Sequence, residues 1–173
     1  MLGRASEPGV RRAAERLVGE GIVIRHEVGR AKVYRLNRRH LAAPHVEALA
    51  DLRATLVERL RLTLKGWETP PLIATLFGSA ARGKATPQSD LDLLLVRREE
   101  IEEDSPVWRK QLFDLEREAT EWTGNDARIL EYGAEELADE DVAALVVEAV
   151  SDGIELFGSR RRLRERLRQG ESR

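Results

Sequence analysis

Two apolar runs of strand length frame the most constraining segment of this sequence. The first run, residues 72–77, leads directly into Gly78-Ser79, and the second begins with Asp90 and Asp92. Side chains two residues apart on a strand point to the same face, about 7 Å from each other. The two aspartates are therefore predicted to lie together at the exposed start of a buried strand, where they can share divalent ions.

The Gly78-Ser79 pair has the properties of an anion-binding turn. Glycine lets a phosphate chain approach the backbone, and the serine hydroxyl acts with the N–H groups of a short helix predicted over residues 80–83. Arg82 and Lys84 are close enough in sequence to contact phosphates, or they are simply surface charges. Carboxylates that hold two Mg²⁺ ions activate an attacking hydroxyl and neutralise departing pyrophosphate. Phosphate-transfer chemistry is the prediction.

Residues 76–83 and 89–96 together resemble the signature of the DNA polymerase beta-like nucleotidyltransferase superfamily, especially its small prokaryotic members. The resemblance covers about residues 72–157. It implies an α+β fold in which a mixed β-sheet is flanked by helices. It also implies an enzyme that moves a nucleotidyl group, with AMP from ATP as the expected case and another nucleoside triphosphate as the variant, to a hydroxyl with the help of Mg²⁺.

The resemblance also implies roles for individual residues. Gly78 and Ser79 become the triphosphate-binding pair, and Asp90 and Asp92 become the catalytic metal ligands. The acceptor is a hydroxyl of a protein or a small molecule. Because related small proteins act as antitoxins that modify or cap a toxin, a toxin-like protein is one implied partner.

The family usually places a third carboxylate on a later strand, between two apolar residues. The matching positions here are Ala127-Arg128-Ile129, so that an arginine stands where an acid is expected. Asp126 lies two residues earlier and, by strand alternation, on the same face, which makes it the candidate third catalytic carboxylate. The alternative is a weakened or inactive site in a DNA-binding regulator or an antitoxin-like partner-binding protein.

The N-terminal part of the chain is strongly basic. Residues 1–40 carry ten Lys or Arg against four Glu, whereas residues 41–173 carry 19 basic against 27 acidic side chains. This asymmetry predicts a basic module ahead of an acidic body, with a polyanion as the natural partner of the module.

A helix predicted over residues 7–19, with Ser6 as its N-cap, precedes two β-prone runs around a turn at Gly29. This order resembles the second half of a winged helix-turn-helix, its recognition helix and wing. A helix face and a hairpin tip are the parts that reach a duplex, and four basic side chains are therefore the predicted DNA contacts: Arg11, Arg12, Arg30 and Lys32. The alternative is a solvated basic face.

The sequence predicts four segments: residues 1–42 as the partial winged helix-turn-helix, 43–69 as one linking helix, 70–158 as the nucleotidyltransferase domain, and 159–173 as a basic tail. The apolar stripe of the linking helix suits either packing against its own domain, which is the commoner case, or a homodimer interface. Within the domain we expect helices over residues 106–122 and 135–150 and a closing strand over 153–157. The candidate core residues of the first helix are Trp108, Leu112, Phe113, Leu115 and Trp122.

The absence of cysteine excludes disulfides, thiolate metal sites and a catalytic thiol. No apolar stretch approaches the roughly 20 residues that a membrane span needs, and no signal peptide is evident. The sequence therefore predicts a soluble, cytoplasmic protein without membrane contact.

Overall fold

The computed structural model describes residues 6–83 and 89–159, together with residues 161, 163 and 167. Lys84 and most of the predicted tail, residues 159–173, lie outside these residues. The chain divides into two compact units, residues 2–53 and residues 54–173.

The N-terminal unit contains the predicted helix and hairpin, followed by a second helix. Its elements are α1 (Glu7–Gly19), β1 (Val23–Val28), β2 (Ala31–Leu36) and α2 (Ala43–Ala50). Ser6 begins α1 as predicted, since its hydroxyl accepts a hydrogen bond from the N–H of Gly9 at 3.3 Å. β1 and β2 are antiparallel. The assignment of this unit to the winged helix-turn-helix class stays a prediction.

Polar contacts connect α1 to the hairpin. The Glu15 carboxylate accepts hydrogen bonds from the Tyr34 hydroxyl at 2.9 Å, from Arg25 at 3.1 Å and from Lys32 at 3.4 Å. Among residues 6–53, only Ala43 is buried. A unit with so little core depends on these contacts more than a larger domain would.

The single linking helix predicted over residues 43–69 is wrong, because the structure has two helices there. α2 ends at Ala50, and α3 (Leu52–Lys65) begins after Asp51. The backbone of Asp51, with φ −93° and ψ 9°, leaves the helical region. Aspartate is a weak helix former, and the apolar periodicity continues across it, so the pattern alone does not reveal the break.

The larger unit is built on a four-stranded mixed sheet, which confirms the predicted α+β fold class. Its strands lie in the order β5-β4-β3-β6, where β3 is Ile73–Leu76, β4 is Leu91–Arg97, β5 is Ala127–Gly133 and β6 is Ile154–Phe157. β3 is antiparallel to both β4 and β6, whereas β4 and β5 are parallel. The two predicted apolar runs are therefore neighbouring central strands.

Helices cover both faces of this sheet. Residues of α3 and of α5 (Pro106–Thr123) pack in one cluster with Leu93 and Leu95. Residues of α6 (Glu140–Asp152) pack in a second cluster with Leu94 and Val96. Because neighbouring residues of β4 point to opposite faces, this strand is apolar at nearly every position. The short helix α4 (Gly78–Ala81) follows β3 directly.

Helix α6 of the larger unit begins later than the sequence predicts. The segment predicted as one helix over residues 135–150 is a 3₁₀ turn, Glu135–Ala138, followed by α6. Asp139 between them is extended, and its carboxylate accepts hydrogen bonds from the N–H groups of Asp141 and Val142, so it caps a new helix. The periodicity of apolar residues does not register such a cap.

On α5, Trp108, Leu112 and Leu115 are buried as predicted, and Trp122 packs against the core while remaining partly exposed. Phe113 is 65% exposed, so its assignment to the core is wrong. It follows Leu112 by one position and is turned by about 100° away from the buried face.

None of the helices in the described part of the chain combines the length and the apolar character that crossing a bilayer requires.

Candidate active site

The end of β3 is held against the beginning of β4. The N–H of Phe77 donates to the carbonyl of Asp92 at 3.0 Å, and the next residue, Gly78, has a φ of +68°. A Cβ atom on Gly78 would lie 2.3 Å from Oδ2 of Asp92. Only glycine combines this backbone conformation with so close an approach to a carboxylate.

The two aspartates at the start of β4 are half-buried. Burial raises the pKa of Asp92 above its ordinary value, and the negative charge of Asp90 adds to this, while Arg128 and Arg82 act in the opposite direction. Among the described residues, the Asp92 carboxylate has no hydrogen-bond or ion-pair partner. A bound cation would offset both the cost of burying the charged Asp92 carboxylate and its repulsion from Asp90.

Arg128 lies directly beside the acidic pair. In the parallel pairing of β4 with β5, Asp92 is opposite Arg128. The Arg128 side chain reaches Asp90, where Nη1 is 2.9 Å from Oδ2, and it remains 64% exposed. The resemblance to the family drew attention to position 128, but it did not predict the contact between Arg128 and Asp90.

Asp126 has a backbone role at the site. Its carbonyl accepts the N–H of Leu91 at 2.8 Å, which fixes the start of the pairing between the two strands. Its carboxylate is exposed and lies 3.4 Å from Nε of Arg128. No group of three His, Cys, Asp or Glu suited to a metal ion occurs among the residues described. The catalytic role of Asp126 stays a prediction, as does metal binding by Asp90 and Asp92.

The predicted phosphate contacts lie next to this pair in the chain. Ser79 is half-buried in α4, and Arg82 is exposed immediately after that helix. The Arg82 side chain makes no hydrogen bond or ion pair within the described part of the chain, so it is free to bind an anion. Their contacts with a nucleotide remain predictions, as does that of Lys84.

A cavity of about 310 Å³ opens beside the glycine-serine turn. Its walls come from the end of β3, from β5 and from α6, and the lining residues are Phe77, Gly78, Arg82, Leu130, Leu145, Glu148, Ala149 and Asp152. The contribution of α6 was missed by sequence reasoning, which treated this helix as purely structural. No spacing or motif in α6 indicates it.

The predicted DNA contacts are all exposed in the N-terminal unit. Arg11 and Arg12 lie on α1, and Arg30 lies at the tip of the hairpin. Among the described residues, these three side chains have no hydrogen-bond or ion-pair partner, whereas Lys32 is paired with Glu15. DNA binding by all four stays a prediction.

Residues 57–151 match the family model of the nucleotidyltransferase domain, and the chain belongs to this family. This confirms the resemblance seen in the Gly-Ser and Asp-Leu-Asp segments. No curated protein sequence matches the chain.

Several solved structures are similar to the chain. A toxin–antitoxin crystal structure with AMP-PNP shares 14% identity at a TM-score of 0.44, covering 68% of this chain and 83% of that one. A mutant of the toxin–antitoxin MntA-HpeT shares 12% identity at a TM-score of 0.46, covering 67% and 84%. The tri-AMPylated Shewanella oneidensis HEPN toxin in complex with MNT antitoxin shares 12% identity at a TM-score of 0.43, covering 69% and 84%.

Proposed function

We propose that this protein transfers a nucleotidyl group from a nucleoside triphosphate, with ATP as the first candidate, to a hydroxyl of a protein or a small molecule in the presence of Mg²⁺. The observation that carries the proposal is the close approach of Gly78 to Asp92, because it brings the glycine-serine turn next to the carboxylate pair. Membership of the nucleotidyltransferase family supports the same chemistry.

In this proposal each polar side chain has a distinct task. The Ser79 hydroxyl and the Arg82 guanidinium bind triphosphate oxygens, and Asp90 and Asp92 hold the metal ion. A hard divalent ion with oxygen ligands supplies the charge that neutralises the departing pyrophosphate. The acceptor oxygen bonds to the α-phosphorus, and the bond between the α-phosphorus and the α–β bridging oxygen breaks. Pyrophosphate leaves, and the proton of the hydroxyl passes to water.

The cavity next to Gly78 is the proposed place of the nucleoside. Its volume of about 310 Å³ lies at the lower end of the range for small-molecule sites. The apolar walls, Leu130 and Leu145, suit the faces of a base and ribose. Among the described residues, the carboxylates of Glu148 and Asp152 have no hydrogen-bond or ion-pair partner and can accept hydrogen bonds from an amino group on the base.

The test measures pyrophosphate release from ATP with Mg²⁺ for the wild type and for Asp90→Asn and Asp92→Asn. Since a metal ion contributes several kcal/mol to such a reaction, we expect each variant to lose about a hundredfold or more in rate. A toxin-like protein and small alcohols are the acceptors to compare. Wild-type turnover that both variants retain would reject the proposal.

DNA binding by the N-terminal unit is a second candidate function. It is supported by the exposed side chains of Arg11, Arg12 and Arg30, which have no ion-pair partner in the described part of the chain. Fluorescence anisotropy with labelled duplex DNA over a range of salt concentrations tests it. Replacing Arg11 and Arg12 by Gln should weaken binding and reduce the salt dependence by about one counterion for each lost contact. Absence of binding at low salt would eliminate this function.

A further inference from the structure

Arg128 places a permanent positive charge beside the acidic pair at the start of β4. Arg128 Nη1 is 2.9 Å from Asp90 Oδ2, and the strand register places the same residue opposite Asp92. An arginine side chain keeps its proton at every physiological pH. The guanidinium is therefore a fixed cation at one side of the carboxylate pair.

The two carboxylates differ in what remains open for a metal ion. Asp90 uses one oxygen for Arg128, whereas Asp92 has no hydrogen-bond or ion-pair partner among the described residues. A divalent ion on Asp92 and the remaining oxygen of Asp90 gains two negative ligands. A second ion would have to share the oxygens of these two carboxylates with the first ion, and it would be repelled by both the first ion and the guanidinium.

The ion pair is also weak enough to coexist with the first metal ion. Arg128 is 64% exposed, and exposed ion pairs are strongly screened by water. Metal binding at the Asp92 side therefore does not require the removal of a buried salt bridge. The guanidinium can stay beside Asp90 and can also turn its free N–H groups toward a phosphate.

We propose that the Arg128 guanidinium takes the place of one divalent cation, so that the site holds a single metal ion together with the nucleotide. The proposal rests on the proposed function for the presence of a nucleotide, but it does not depend on turnover. It replaces the expectation of two Mg²⁺ ions, because the residues present fit one ion and do not fit two.

The experiment counts bound Mn²⁺ by electron paramagnetic resonance in the presence of an α,β-methylene analogue of ATP, whose α–β bond cannot be cleaved. We expect one ion per wild-type protein. Arg128→Asp removes the cation and adds a third carboxylate, and it should bind two ions. Arg128→Gln removes the cation alone, so it should keep one ion and bind it up to about fivefold more tightly.

Arg117→Asp is the matched control, since it makes the same change of charge on α5, which covers the other face of the sheet. Arg117 pairs with Asp114 and Glu121 on the surface, and its replacement should leave the count at one. Circular dichroism melting confirms that each variant is folded. If Arg128→Asp unfolds, Arg128→Glu offers the same comparison.

Two ions bound to the wild type, or a single ion bound to folded Arg128→Asp, would overturn the inference, as would failure of the wild type to bind any ion with the nucleotide analogue. Failure of the proposed function looks different. One bound ion without pyrophosphate release from ATP would leave the inference standing and reject the transfer reaction. Two bound ions together with rapid pyrophosphate release would overturn the inference and support the transfer reaction.

Discussion

Gly78 and Asp92 approach each other so closely that a Cβ atom on the glycine would lie 2.3 Å from Oδ2 of the aspartate. The turn after β3 and the carboxylates of β4 are thus one site, although the two segments are separate in the sequence. A nucleotide bound at the turn would have its phosphates next to the proposed metal ligands.

Gly78→Ala should impair nucleotide binding beyond its cost in stability. The positive φ alone costs a non-glycine residue about 1–2 kcal/mol, and the new Cβ also displaces the Asp92 carboxylate. We expect the affinity for ATP with Mg²⁺, measured by isothermal titration calorimetry, to fall at least tenfold.

Gly124→Ala separates these two effects. Gly124 has a φ of +69°, close to the +68° of Gly78, but a Cβ there would meet nothing within 4 Å. Its replacement should cost about 1–2 kcal/mol of unfolding free energy and leave nucleotide affinity near the wild-type value. Equal losses of affinity in both variants would show that the clash with Asp92 is irrelevant.

Asp92→Asn should change how stability depends on pH and on Mg²⁺. Because the pKa of Asp92 is raised above 3.8 in the folded state, the metal-free wild type loses stability as the pH rises through and above that value. The amide lacks this dependence. The melting temperature of the variant should therefore rise relative to that of the wild type as the pH is raised from acidic to neutral.

The effect of Mg²⁺ has the opposite sign. At neutral pH, magnesium at a hundred times its dissociation constant should stabilise the wild type by about 2.7 kcal/mol and the variant by much less. Thermal melts with and without Mg²⁺ measure both effects. An equal response of the two proteins to Mg²⁺ would contradict the assignment of Asp92 as a ligand.

Leu145→Trp should reduce nucleotide affinity by filling the cavity beside Gly78. Leu145 lines that cavity and is 39% exposed, so the larger side chain has room to be accommodated without disturbing the core. Val147→Trp is the matched control, because Val147 lies on the same helix at 41% exposure and does not line the cavity. Titration of both variants with ATP should show a loss of about tenfold or more for Leu145→Trp alone. Similar affinities would place the nucleoside elsewhere.

Glu15→Gln should remove the loss of stability that the N-terminal unit undergoes at acidic pH. The hydrogen bond from Tyr34, followed by the contacts with Arg25 and Lys32, holds the pKa of Glu15 below 4.5. The stability from this group is present above the unfolded pKa and is lost as the pH falls through the lower folded pKa.

Hydrogen exchange of the β2 amides between pH 2 and pH 6, corrected for the intrinsic rate, checks this. The wild-type protection should fall at the acidic end, and the Gln variant should show low protection with little dependence on pH. An unchanged profile would mean that the carboxylate does not connect α1 to the hairpin.

Much of the larger unit could be predicted from the sequence. The apolar runs that became β3 and β4 are visible because each strand is short and both of its faces are buried. The pair of aspartates could be placed on one face because strand alternation is a local property. The helix boundaries at Asp51 and Asp139 were not predicted. One polar residue can interrupt a helix without altering its apolar periodicity.

The sequence by itself determined the strand–turn–strand unit, its family and the residue types at the carboxylate site, because these depend on short-range spacing. Only the tertiary structure decided that Arg128 pairs with Asp90 and that α6 provides a wall of the cavity. Both facts depend on which distant segments the sheet brings together. The register of two parallel strands joined through a long helix is determined by the packing of the whole domain, and no local pattern encodes it.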